Sequence, residues 1–110
     1  MNVNDRLYSI DNKRIQKTID IEDSLYNRLI ELTKNKYDAT ISEIINICIE
    51  NYIIKDNPSF YLKPTFETVT YRTIILRKNN IEALETIRAN TGISFTRLLN
   101  ASIKDFLDNL

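Results

Sequence analysis

The chain has no histidine and no tryptophan, a single cysteine, a single glycine and two prolines in 110 residues. Each shortage removes a class of chemistry. With Cys48 alone there is no internal disulfide framework, and one thiol without histidine leaves out the usual transition-metal sites, so neither a metal nor another cofactor is expected. A phosphate-cradling loop needs more glycine than Gly92 supplies. Charge of one sign is also lacking. Fifteen Lys and Arg balance fifteen Asp and Glu, which gives no support of its own for a polyanionic partner. Divided at Asn57, the first part holds eight basic against ten acidic residues and the second seven against five, a mild asymmetry. No apolar run approaches the length of a bilayer span. The segment Met1 to Ile10 sets Asp5 and Arg6 among Asn and apolar residues, without the basic-then-apolar layout of a signal peptide. A cytoplasmic protein with no membrane partner is the expectation.

What is present is a globular balance, 43% hydrophobic and 27% charged, in a length that holds one ordinary domain or two very small units sharing a core. Within Arg14-Ile15-Gln16-Lys17-Thr18-Ile19-Asp20-Ile21, apolar β-branched residues recur at alternate positions, which predicts a half-buried strand. Leu25, Leu29 and Leu32 then follow at helical steps, with Asp23 or Ser24 available as a cap. Thr40-Ile41-Ser42-Glu43 has the form of a capping box and opens a second helix through Ile44, Ile45, Cys48, Ile49, Tyr52 and Ile53. Pro58 and Pro64 mark a linker.

The order then recurs. Thr70-Tyr71-Arg72-Thr73-Ile74-Ile75-Leu76 predicts a strand, Ile81, Leu84 and Ile87 a helix ended by Gly92, and Ser94-Phe95-Thr96 the start of a helix through Leu98, Leu99, Ile103, Phe106 and Leu107. Ile19 matches Ile74, Ile21 matches Leu76, Leu29 matches Leu84 and Leu32 matches Ile87 at a shift of 55. Thr40 matches Ser94, Ser42 matches Thr96, Ile45 matches Leu99, Ile49 matches Ile103 and Tyr52 matches Phe106 at a shift of 54. One extra residue in the first inter-helix turn accounts for the change. The organisation is an N-terminal arm (1–12), a first repeat (13–55), a linker (56–68) and a second repeat (69–110). Units of about 40 residues rarely bury their apolar faces alone, so each half needs the other.

The succession of alternating strand, helix with its stripe at Leu25, Leu29 and Leu32, tight turn, and Thr40-Ile41-Ser42-Glu43-Ile44-Ile45 running to Ile49 and Tyr52-Ile53 resembles the ribbon-helix-helix repressors of the Arc, MetJ and CopG type. Gly92-Ile93-Ser94-Phe95-Thr96-Arg97-Leu98-Leu99 carries the likeness into the second half. The resemblance implies a mainly α fold with a short β-ribbon, in which two strands pair antiparallel and lie in the DNA major groove. In that family the two copies normally come from two chains; here one chain carries both, so the simplest expectation is an intrachain pseudo-dimer. The roughly 14 residues between Ile54 and Val69 reach about 45 Å when extended, enough for that pairing. Swapping between two chains remains the alternative.

If Ile19, Ile21, Ile74 and Leu76 face the core, strand alternation turns Gln16, Thr18, Asp20, Tyr71, Thr73 and Ile75 outward. These six are the candidate base contacts. Glutamine suits adenine, threonine several bases, isoleucine a thymine methyl and aspartate the cytosine amine. For Asp20 and Ile75 a structural role competes evenly: Asp20 paired with Lys17, Arg72 or another nearby base, and Ile75 packed on Phe60, Tyr61 or Phe66. The starts of the second helices, Thr40, Ile41 and Ser42, and Ser94, Phe95 and Thr96, are candidate phosphate contacts through free backbone N–H groups, although hydroxyls there also serve simply as caps. Arg14, Arg72, Arg77 and Lys78, with Lys13 beside them, flank the strands and are further candidate phosphate contacts, although basic residues on a ribbon's edges are equally ordinary solvated surface.

Cys48 sits on an apolar helix face with no histidine base, and Glu82 and Glu85 fall on a polar face, so no enzyme is expected and no small-molecule substrate. The leading expectation is a sequence-specific protein for double-stranded DNA, a transcriptional regulator of a plasmid, phage or mobile element, whose units associate further on DNA. Tandem copies also resemble relaxosome accessory proteins that bind DNA at a transfer origin. The competing reading is an antitoxin-like or scaffold module that has lost base reading and holds a protein partner through its N-terminal arm or linker. Because the two strands differ, an intrachain ribbon predicts an asymmetric DNA site where a homodimer reads a palindrome.

Overall fold

A computed structural model describes residues 13–35, 39–55 and 67–110. The N-terminal arm and residues 56–66 of the linker, with Phe60, Tyr61 and Phe66, lie outside the described residues, so the packing of Ile75 on those aromatics does too. The elements are strand β1 (Arg14–Glu22), helices α1 (Asp23–Asn35) and α2 (Ile41–Ile53), strand β2 (Val69–Arg77), and helices α3 (Lys78–Thr91) and α4 (Phe95–Asp108). The described chain is therefore mainly helical, with a two-stranded antiparallel sheet made by β1 and β2.

Each strand passes into a helix without a loop, where alternation of apolar residues gives way to helical spacing. Asp23, expected as a cap, is already the first residue of α1. Its carboxylate accepts instead from the hydroxyls of Thr68 at 2.7 Å and Thr70 at 2.6 Å, which ties the start of α1 to the approach of β2. Thr40 does cap α2, its hydroxyl accepting from the Glu43 N–H at 3.2 Å, and Ser94 caps α4 in the same way through Arg97 N–H at 3.2 Å. Each such cap contributes about 1 kcal/mol. Gly92 ends α3 with φ of 76°, a left-handed geometry that favours glycine.

One core joins all six elements. Ile19, Ile21, Ile74 and Leu76 enter it from the ribbon, Leu25, Leu29, Ile81 and Leu84 from α1 and α3, and Ile45, Ile49, Tyr52, Leu98, Leu99 and Ile103 from α2 and α4. Full burial of one such aliphatic side chain stabilises by about 1.5–3 kcal/mol. The most extensive helix contact is between α2 and α4, and the packing on the sheet is crossed: α2 lies chiefly against β2, and α4 against β1. Removing either half would strip the other of its cover.

Candidate nucleic-acid interface

The register pairs Gln16 with Ile75, Thr18 with Thr73, and Asp20 with Tyr71. All six expected base-contact residues thus stand on one face, and all six are exposed. The backbone groups of Ile75 and Asp20 turn away from the partner strand: Ile75 N–H donates to Ser42 Oγ at 3.0 Å, and the Ile75 and Asp20 carbonyls accept from Asn46 and Asn100 at 3.0 Å each. The outward pairs are therefore the non-hydrogen-bonded ones, whose side chains approach most closely. In the central row, Thr18 Oγ1 and Thr73 Oγ1 are 3.1 Å apart. Tyr71 is 70% and Ile75 44% exposed, and with Val69 at 37% they give the outer side of β2 an apolar row.

Asn46 and Asn100 stand outside the set expected from sequence, yet they hold the ribbon on the helices. The Asn46 amide donates to the carbonyls of Ser42 (2.9 Å) and Ile75, while its oxygen accepts from Arg77 N–H (2.9 Å) and Asn80 Nδ2 (2.9 Å), so its bonding capacity is filled. Asn100 does the same for β1, donating to the carbonyls of Thr96 (2.8 Å) and Asp20 and accepting from Glu22 N–H (3.0 Å). A signal existed in the sequence: asparagine at corresponding positions of both apolar helices, where it is a poor helix former and a costly buried amide without partners.

Asp20 makes no ion pair among the described residues. The bases expected near it are otherwise engaged. Lys17 lies on the helix-facing side with its ammonium 4.6 Å from the centre of the Phe95 ring, and Arg72 stacks 3.6 Å above Tyr26 while pairing with Asp23 at 3.4 Å. Arg77 pairs with Glu50 at 2.6 Å, and Lys78 approaches Glu82 at 3.7 Å. Lys13 and Arg14 are exposed, and Arg14 faces Arg77 across the ribbon. The two ends of the outer face therefore differ, basic at Arg14 and acidic at Asp20, neither of which makes an ion pair among the described residues.

At the acidic end, a hollow of about 190 Å³ separates the strands from the first turn of α4, lined among others by Asp20, Ser94, Thr96 and Arg97. At the basic end the first turn of α2 is bonded to β2 through Ser42, which commits that hydroxyl to the fold. Ile41 and Phe95, at the first helical positions, are half-buried against the core. Among the described residues no group of His, Cys, Asp and Glu could hold a metal ion, and no helix is long and apolar enough to cross a membrane. Burial, with the Asp105 charge adding to it, pushes the Cys48 thiol up to about 12, which leaves it a packing residue at neutral pH. No family model, no curated protein and no solved structure matches the chain.

Proposed function

We propose that this chain is a tandem ribbon-helix-helix protein, an intrachain pseudo-dimer that binds double-stranded DNA sequence-specifically by laying its ribbon in the major groove, and that it acts in the cytoplasm as a transcriptional regulator. The observation that carries this reading is the ribbon's outer face: six exposed side chains in three facing rows. A two-stranded ribbon fits a groove about 12 Å wide. The pseudo-twofold relation draws support from the register, because Thr18 and Thr73, paired at the centre, are themselves related by the 55-residue shift. Further bonds repeat under that shift. Asp23 N–H donates to the Thr68 carbonyl at 3.0 Å, and Lys78 N–H to the Lys13 carbonyl at 2.8 Å.

Selection from random duplex DNA, followed by binding across a salt series, tests the proposal. Enrichment of one motif and a steep loss of affinity with rising salt are expected. Weak binding at low salt with no enriched sequence would refute it. One observation favours a second reading, a protein-binding module: Tyr71, Ile75 and Val69 form an exposed, partly apolar row on β2 beside the Asp20 carboxylate. Under that reading the ribbon captures a protein partner and the selection fails. Intrachain pairing further predicts a folded monomer at low concentration, measured by sedimentation, whereas swapped strands require an obligate dimer.

A further inference from the structure

We infer that the two ends of the ribbon are built for different base pairs, an A·T pair at the Gln16/Ile75 end and a C·G pair at the Asp20/Tyr71 end, about four base pairs apart. The inference rests on the DNA-binding reading above and adds the identity of the sequence read. Its basis is the pairing across the strands. Gln16 and Ile75 face each other in a close, outward pair, so a carboxamide and a branched aliphatic group stand side by side. In the major groove an A·T pair offers the matching surface, with adenine N7 and N6 for the bidentate amide and, beside them, the thymine methyl for the aliphatic group. No other pair presents both.

At the opposite end the facing groups are a carboxylate and a phenol. The Asp20 carboxylate accepts only, and it is not consumed by an ion pair among the described residues. Two major-groove groups donate to it, the amines of cytosine and adenine, but adenine sets the N7 acceptor beside its amine, against the carboxylate charge. Cytosine is therefore preferred. The Tyr71 hydroxyl, on a ring 70% exposed, then donates to O6 or N7 of the paired guanine. Acceptor beside donor matches donor beside acceptor.

The spacing follows from the strand. Gln16 and Asp20 are four residues apart, which at a rise of about 3.4 Å per residue gives roughly 14 Å, or about four base-pair steps. The central Thr18 and Thr73 hydroxyls, bonded to each other at 3.1 Å, tolerate several bases between. Charge distinguishes the two ends, since Arg14, which makes no ion pair among the described residues, lies beyond the A·T reader, while the C·G reader is itself the Asp20 carboxylate.

Random-duplex selection with the full chain should return a non-palindromic motif holding A·T and C·G about four base pairs apart. Exchanging either pair should weaken binding about 5- to 150-fold by fluorescence anisotropy. Asp20→Asn should convert the cytosine position to adenine and leave the other end unchanged, while Gln16→Ala with Ile75→Ala should relax the A·T end alone. All three residues are exposed, and unchanged urea midpoints would show that the variants are folded. A palindromic motif, or an Asp20→Asn variant that keeps cytosine or alters both ends, would overturn the inference while leaving DNA binding standing. Absence of any motif together with salt-insensitive binding would overturn the DNA reading and the inference with it.

Discussion

Truncating Asn100 to alanine isolates the bond set that fastens β1 to α4. The substitution removes the acceptor of Glu22 N–H and the donor to the Asp20 carbonyl. Glu22 is buried, so its N–H loses a partner where water does not replace it, at about 1–3 kcal/mol. Asp20 is exposed and its carbonyl can be hydrated, which limits that loss to the net value of a hydrogen bond, about 1 kcal/mol. Alanine returns roughly 0.5 kcal/mol through its higher helix propensity. The expected loss is therefore about 1.5–3.5 kcal/mol, against roughly 5–15 kcal/mol for a domain of this kind. Urea denaturation followed by circular dichroism measures it, and the melting temperature should fall by roughly 10 °C. Asn51→Ala is the control, because Asn51 is exposed and, among the described residues, its amide donates only within its own helix, to the Ile47 carbonyl at 2.9 Å. If Asn100→Ala is no less stable than Asn51→Ala, the ribbon is not held as described.

Three further outcomes follow. The Cys48 thiol, pushed up to about 12 by burial, should resist thiol reagents at pH 8 in the native state and react only as the chain unfolds, which timed labelling in urea measures. The hydroxyls of Thr70 and Thr68, and then Arg72, hold the Asp23 carboxyl below its ordinary value of 3.8. Its contribution to stability is thus fully present above the unfolded value and is lost as pH falls through the lowered one, and Asp23→Asn should flatten the acid limb of a stability-against-pH curve. Arg14→Ala should weaken DNA binding evenly across sequences and reduce the salt slope by about one, whereas a change in base preference would assign Arg14 a different role.

Much of the fold was legible because alternation and helical spacing are written in its apolar residues. Ile19, Ile21, Ile74 and Leu76 are the buried apolar residues of the ribbon, and the Leu25, Leu29 and Leu32 stripe is buried as its spacing requires. The strand ends were less legible. Both strands run up to the first residue of a helix, since the backbone N–H groups of Glu22 and Arg77 donate to the side-chain oxygens of Asn100 and Asn46 from the opposite half. Such long-range bonds leave little trace in local pattern. The outward face followed from the two-residue period alone, but the employment of Arg72 by Tyr26 and Asp23 did not, because the partners of a flexible cation depend on which helices meet it. The polarity of the ribbon emerged only once the register set Arg14 against Arg77 and Asp20 against Tyr71.

The central claim is that the outer face of an intrachain ribbon meets duplex DNA, and amide chemical-shift mapping during titration with a selected duplex tests it most directly. Shifts should concentrate at Gln16, Thr18, Asp20, Tyr71, Thr73 and Ile75 and at the first turns of α2 and α4, and leave the far ends of those helices near Asn51 and Phe106 unmoved. Shifts confined to those far ends, or none at saturating DNA, would contradict it.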